Sequence, residues 1–338
     1  MLLFTRRFGL SLAMVGLVLA IVLPVAAAGT VKSPPDWISG MGMSMQADPA
    51  KAGEEAAKEA FGELNGKTAK LVIVFAAEPQ VTPELVAGIA KVFPKELIYG
   101  CQVTSPLIKE SNFADSPSLD IPIGLTVWAL GGDMELAISQ AKTDPDGDDS
   151  YFDAGFAIGE ELKPAIEASK KAGKVILTFG DQFNGSNKDF ASGLNSGLDA
   201  IYPIIGGAAG NTTAKVIAAG VIETGLNVAI LIADDFRLGL SSNGGTHSPE
   251  TTEKTILEAL APGDGAEPFF TFVVSCRRRR MGMIENNQLP QELEVIKKHL
   301  PGLDFFGFYG PGEVGAVKNG DEAKGMGFTV TMATFFAL

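Results

Sequence analysis

The chain has few of the residue types from which metal and thiol sites are most often built. It contains two cysteines, Cys101 and Cys276, and two histidines, His247 and His299, among 338 residues. Two cysteines are too few for a disulfide scaffold, and their spacing from the histidines matches no zinc site. A catalytic thiol also needs a base within reach. We therefore predict no metal, no cofactor and no enzymatic activity, while the cysteines could pair with each other, pack in the core or react.

The chain also lacks an excess of positive charge. Its 27 lysines and arginines are outnumbered by 40 aspartates and glutamates, so the formal net charge is −13 at pH 7. A surface of this sign repels the phosphates of nucleic acids and of anionic lipids. We therefore expect neither nucleic acid nor a membrane surface as a partner of the mature protein.

Long apolar runs are absent except at the N-terminus. There, Arg6 and Arg7 precede an apolar stretch over 9–25, and three alanines ending at Ala28 provide a small-residue cleavage site. This order is typical of a secretory signal peptide, and an uncleaved membrane anchor is the alternative. We predict an exported protein, periplasmic or secreted after cleavage near Ala28, with a flexible leader over 29–47.

A unit of strand, loop, helix and strand occurs three times along the chain. The second strand of each unit ends at a glycine: Gly100, Gly206 or Gly307. Glycine adopts positive φ readily and lets other groups approach the backbone closely. We interpret the glycine-rich segments that follow as the edges of one or two clefts that bind a small ligand. The first strands of the three units span 71–75, 175–179 and 272–276.

The alternation of helices and strands predicts an α/β fold with layered mixed β-sheets, flanking helices and repeated strand–helix–strand units. Turn residues also predict two β-hairpins, one joining 121–130 to 134–141 and one joining 213–223 to 226–234. Residues 239–250 contain the densest cluster of turn residues, so we place a domain boundary there.

The third unit carries the clearest resemblance to a known family. Ser-Cys-Arg-Arg-Arg at 275–279 and Gly-Phe-Tyr-Gly-Pro-Gly-Glu-Val-Gly at 307–315 resemble the C-terminal half of the FIST sensory domain. Gly-Cys-Gln-Val-Thr at 100–104 and Gly-Gly-Ala-Ala-Gly at 206–210 are similar to its N-terminal half. The resemblance covers the chain from about residue 48 to its end.

This resemblance implies two FIST-like domains, 48–245 and 246–338, and a sensor in signal transduction that binds amino acids or related metabolites. The family often occurs next to signal-output domains. No such segment follows here, so we expect a signalling partner in the cell envelope to supply the output. The alternatives are a structural or interaction protein of the envelope and a hydrolase or thiol enzyme.

The resemblance also singles out Arg279 and Glu313 as candidates for ligand recognition. A guanidinium can clamp a carboxylate through two hydrogen bonds, and a carboxylate in a tight turn can hold an ammonium group. We predict that an amino acid or small carboxylate binds between them, although either charge could instead be solvated or paired within the protein. The remaining predicted ligand-binding residues are Cys101, Thr104, Gly206, Gly207, Cys276 and Tyr309.

Overall fold

Helices and strands account for most of the part of the chain that the structure, a computed structural model, describes: residues 37–108, 111–113, 123–144, 150–181, 186–210 and 214–338. The α-helices in this part are α1 (Pro49–Glu63), α2 (Pro83–Ile89), α3 (Ser150–Ala168), α4 (Ser186–Leu198), α5 (Pro249–Leu260), α6 (Arg277–Glu285) and α7 (Leu289–His299). None of these helices is long and apolar enough to cross a membrane. The predicted signal peptide lies outside the described residues.

The strands form three mixed sheets within the described residues. Along the chain they are β1 (Trp37–Ser44), β2 (Ala69–Ala77), β3 (Ile98–Val103), β4 (Ser105–Ile108), β5 (Leu125–Gly132), β6 (Glu135–Lys142), β7 (Gly173–Gly180), β8 (Ile204–Ala208), β9 (Val216–Ala218), β10 (Val221–Glu223), β11 (Leu226–Asp234), β12 (Phe236–Gly244), β13 (Pro268–Cys276), β14 (Asp304–Gly310), β15 (Glu313–Gly315), β16 (Lys324–Met326) and β17 (Thr329–Ala337). Their orders are β1-β5-β2-β3-β9-β10, β16-β15-β8-β7-β11-β6 and β12-β17-β13-β14-β4. The predicted fold class is confirmed.

The three strand–helix–strand units are the centre of the three sheets. β2 pairs in parallel with β3, β7 with β8, and β13 with β14. Parallel pairing requires a crossover, and the helices between the strands supply it. In the first unit the crossover helix α2 begins as its sequence predicts, with Pro83 in its first turn and the Thr82 hydroxyl accepting the N–H of Leu85.

The three glycines of the units lie inside their strands and not at strand ends. Gly100, Gly206 and Gly307 stand opposite Val74, Thr178 and Val273 in the parallel pairs. A Cβ atom at any of them would lie only 1.7–1.9 Å from the carbonyl oxygen of the opposite residue. Glycine is therefore needed for close approach of two backbones, which is a requirement of the sheet and not of a ligand cleft.

Both predicted β-hairpins are wrong. β5 pairs with β1 and β2, whereas β6 pairs with β11 in another sheet, so the glycine turn between them connects two sheets. In the second predicted hairpin, the first strand pairs within itself, because β9 and β10 form a hairpin. The predicted second strand, β11, lies between β6 and β7 in another sheet. A glycine turn indicates a change of direction but does not determine which strand becomes the neighbour.

The predicted flexible leader is also corrected, because its last part forms β1, which pairs along its whole length with β5. Gly40 and Gly42 face α1 so closely that a Cβ atom at either would lie 2.1 Å from a carbonyl oxygen of the helix. The small residues that suggested flexibility are thus required by helix–strand packing. At the predicted domain boundary, residues 239–250, β12 continues to Gly244 and pairs with β17. The division into two domains stays a prediction.

The inner faces of the three sheets share one aromatic core. Trp128 stacks on Phe270 with ring centroids 4.4 Å apart, and Phe75 lies 4.6 Å from Phe308, so each contact joins two different sheets. Full burial of such a side chain contributes roughly 1.5–3 kcal/mol. The helices cover the outer faces: α1 and α2 on the first sheet, α3 and α4 on the second, α5 and α7 on the third. This arrangement leaves the carboxyl end of β13 and the start of α6 at the edge of the core.

Candidate functional site

A cavity of about 660 Å³ opens where β13 ends and α6 begins. Cys276 is the last residue of β13 and precedes the first turn of α6. The start of α4 forms a second wall, and the segment that joins β16 to β17 forms a third. The lining residues are Asn187, Lys188, Cys276, Arg277, Arg278, Met281, Pro311 and residues 325–328.

The cavity is cationic although the protein is acidic. Lys188, Arg277 and Arg278 line it, and within the described residues none of the three forms an ion pair. Arg277 and Arg278 lie in the first turn of α6, which contains no acidic residue. A cation at this position is unfavourable, typically by about 0.3–1 kcal/mol for each charge, because the N-terminus of a helix is already positive. A positive potential maintained at such a cost favours an anionic ligand.

The Cys276 thiol lies at the boundary between this cavity and the core. Cys276 is only 2% exposed, yet it contributes to the wall of the cavity. Burial raises the pKa of the thiol, and the neighbouring Glu313 carboxylate raises it further. The backbone N–H groups of Phe328, Arg278 and Arg279 act in the opposite direction and lower this pKa, because they stabilise the thiolate. Both cysteines are thiols, so the disulfide alternative is not realised.

Glu313, the first residue of β15, lies behind Cys276 and is completely buried. Its Oε2 accepts the backbone N–H of Thr329 at 3.2 Å and also the hydroxyl of Thr329. Its Oε1 has no hydrogen-bond partner among the described residues, and the Glu313 carboxyl group as a whole interacts with the Cys276 thiol. Burial raises the pKa of Glu313 to about 8, against the opposing effects of Thr329, Cys276 and the Arg279 charge.

Arg279 does not reach the cavity, contrary to the prediction. Its guanidinium is fully buried, and each of its five N–H donors has an acceptor inside the protein. The side-chain acceptors are Ser275 Oγ at 2.7 Å, Thr252 Oγ1 at 3.0 Å and Glu292 Oε1 at 3.1 Å. The other two are the carbonyl oxygens of Ser248 and Thr246, at 3.0 and 3.3 Å. Arg279 therefore holds α6 against its neighbours and has no donor left for a ligand.

Tyr309 belongs to the same buried network and does not line the cavity. Its hydroxyl donates to Glu292 Oε2, and the guanidinium carbon of Arg280 lies 5.7 Å from the centre of its ring. Burial and the charge of Glu292 raise the pKa of Tyr309 well above its usual value. Glu292, which accepts from both Arg279 and Tyr309, is a residue that no sequence pattern had indicated.

Four more predicted ligand-binding residues lie away from the cavity. Cys101 is part of the shared core, and burial raises the pKa of its thiol. Thr104 donates its backbone N–H to the carbonyl oxygen of Tyr309 at 2.9 Å. Gly206 and Gly207 lie in β8, between β7 and β15. Of the eight predicted residues, only Cys276 lines the cavity, and Glu313 is buried next to it.

Comparison with known families places the chain. Residues 70–259, more than half of the sequence, match the FIST N domain. No curated protein matches the chain. Among solved structures, phosphoribosylformylglycinamidine synthase II from Thermotoga maritima aligns with 90% of this chain and 73% of its own, at 10% identity and a TM-score of 0.27. A structural similarity this low supports no conclusion. The match to the FIST N domain covers more than half of the chain, and it shows that the protein is a member of the FIST family of sensory domains.

Proposed function

We propose that this protein senses a small carboxylate, such as an amino acid or a related metabolite, by binding it in the cationic cavity. The observation that supports this proposal is the convergence of Lys188, Arg277 and Arg278, none of them ion-paired within the described residues. A guanidinium binds a carboxylate through two parallel hydrogen bonds, and the N-terminus of α6 adds its own N–H groups.

The size and the lining of the cavity fit such a ligand. Its volume of about 660 Å³ lies within the range of roughly 300–1,000 Å³ that is usual for small-molecule sites. Met281, Pro311 and Phe328 offer apolar surface beside the charged groups. The arginines would fix the carboxylate, and the apolar side chains would contact the rest of the molecule.

Binding without turnover is the role that we propose, with the signal passed to a partner in the cell envelope. The N-terminal sequence supports export with cleavage near Ala28, which the mass of the exported protein would test. A ligand recovered unchanged after long incubation with the protein, as followed by NMR, is the expected result. Product formation would favour the alternative of an enzyme.

The binding proposal is tested by thermal shift of the purified protein with amino acids and small carboxylates. A ligand at about 100 times its Kd should stabilise the protein by about 2.7 kcal/mol. In the double variant Arg277→Ala, Arg278→Ala this stabilisation should be lost. The matched control, Lys67→Ala with Lys170→Ala, removes two exposed charges elsewhere and should retain it.

Two outcomes would contradict the proposal. One is equal stabilisation of the cavity variant and the control variant, which would place the ligand elsewhere. The other is a wild-type protein that no compound stabilises but that retains one envelope protein on purification, which would favour the alternative of an interaction protein.

A further inference from the structure

The wall of the cavity contains a thiol, a buried carboxyl group interacts with that thiol, and anion binding alone has no use for either. Cys276 is one of only two cysteines in the chain, and it lines a cavity whose charged side chains are all cationic. Glu313 beside it is fully buried, with Oε1 lacking a regular hydrogen bond among the described residues. A buried carboxyl oxygen that accepts no hydrogen bond destabilises the folded protein. Such an oxygen next to a thiol therefore requires an explanation, and we look for it in the chemistry of the pair.

Two features around the sulfur favour its thiolate, and they oppose the burial and the Glu313 charge that raise the pKa of Cys276. Cys276 directly precedes α6, and Arg277 and Arg278 in the first turn of that helix line the same cavity. Helix N-termini and adjacent cations lower the energy of a thiolate relative to a thiol. The carboxyl group of Glu313 can take the proton that the sulfur must lose.

We propose that Cys276 and Glu313 form a thiol–disulfide exchange site, at which a small anionic disulfide held by Arg277 and Arg278 is captured on the sulfur of Cys276. This inference rests on the proposed function, because the same two arginines would bind the carboxylate of the disulfide.

The step is balanced in atoms and electrons. The thiol proton of Cys276 moves to Glu313 Oε1, and the sulfur attacks one sulfur of the bound disulfide. The S–S bond of the ligand breaks as the S–S bond to Cys276 forms. The departing thiolate takes the proton from Glu313. One protein thiol and one small disulfide thus give one mixed disulfide and one small thiol, with no net oxidation.

Burial prepares Glu313 for the role of base. A carboxylate at its usual pKa is too weak a base for a thiol, and burial raises the pKa of Glu313 to about 8, closer to that of a cysteine. Because the thiol and the carboxyl group interact, the first proton is lost from the pair and not from one group alone. Thiol–disulfide exchange should therefore accelerate as the pH rises through about 8. The other charged groups around the pair are Lys188, Arg277 and Arg278, which line the cavity, and Arg279, whose charge lowers the pKa of Glu313.

The test uses three disulfides of similar size and different charge. They are dithiodiglycolate, which is anionic, bis(2-hydroxyethyl) disulfide, which is neutral, and cystamine, which is cationic. Addition to the purified protein is followed by intact mass. We expect Cys276 to be modified, with the anionic disulfide faster than the neutral one by about tenfold or more. The double variant Arg277→Ala, Arg278→Ala should lose this preference while it still reacts with the neutral disulfide.

Two variants of the thiols and one of the base complete the test. Cys276→Ser should abolish modification, and Cys101→Ser should leave it unchanged, because Cys101 is fully buried in the core. Glu313→Gln should slow exchange by about a hundredfold or more at pH 7, with recovery at high pH, where the thiol ionises without a base. A purely structural role of Glu313 would not produce this recovery. If the Gln variant does not fold, the wild-type pH profile and the preference among the disulfides still decide.

Each outcome separates this inference from the proposed function. If no disulfide modifies Cys276 while carboxylates still stabilise the protein, the thiol inference is overturned and the binding proposal stands. If Cys276 reacts with all three disulfides at similar rates, the arginines do not hold the ligand, and both the inference and the binding site assigned to Arg277 and Arg278 are refuted.

Discussion

The buried carboxyl group of Glu313 should make the protein less stable as the pH rises towards neutral. Burial raises its pKa from 4.5 to about 8, so the folded state keeps the proton of Glu313 where the unfolded state has lost it. Between these two values the folded state binds more protons, and the free energy of unfolding then falls with increasing pH. The penalty is absent below about pH 4.5 and complete above about pH 8.

The size of this loss in the free energy of unfolding follows from the pKa shift of Glu313. Each pH unit within the window costs about 1.36 kcal/mol, so at pH 7 the folded protein loses about 3 kcal/mol through Glu313 relative to acidic pH. In the variant Glu313→Gln the side-chain oxygen can still accept the hydrogen bonds of Thr329, and no charge has to be buried. We therefore expect this variant to exceed the wild type in stability by about 2–3 kcal/mol at pH 7, and by little at pH 5.

The assay is urea unfolding of both proteins at pH 5, 6, 7 and 8. The difference between them isolates Glu313 and its interaction with Cys276, because both proteins contain all the other titrating groups. The exposed Glu96 offers a matched control, and Glu96→Gln should change the unfolding free energy by less than about 0.5 kcal/mol at every pH. The reasoning is refuted if Glu313→Gln is no more stable than the wild type at pH 7, or if its advantage does not grow from pH 5 to pH 8.

Two further predictions concern the fold that supports the cavity. Arg279→Met should cost about 3–5 kcal/mol in urea unfolding, because it leaves Glu292 buried without its cationic partner, and adding Glu292→Leu should recover part of that loss. Gly206→Ala should cost about 3 kcal/mol or more in the same assay, since the new Cβ atom would meet the carbonyl oxygen of Thr178 at 1.7 Å. Gly62→Ala in α1 is its control, because it has open space and should be neutral or slightly stabilising.

The sequence predicted the local units of the fold well and their neighbours poorly. Each strand–helix–strand unit can be recognised because its two apolar strands and the helix between them lie within about 40 residues of chain, and the two strands form one parallel pair. The partners of β5, by contrast, are β1 and β2, and nothing near Gly131 or Gly132 indicates that the next strand, β6, belongs to another sheet. Pairing between sheets is determined by which faces share the aromatic core, and that is a property of the assembled layers.

The run of four arginines shows why the candidate site was predicted only in part. The sequence places Arg277 to Arg280 directly after a strand, and the family pattern singles out Arg279. Because the run forms the first turn of a helix, its members point in different directions: Arg277 and Arg278 line the cavity, while Arg279 and Arg280 are fully buried. The arginine that the motif specifies is therefore the one that fixes α6, through five hydrogen bonds. Fixing α6 also fixes Cys276 and the two cationic neighbours of Arg279 at the cavity, so a residue that never touches the ligand can still be required for binding it.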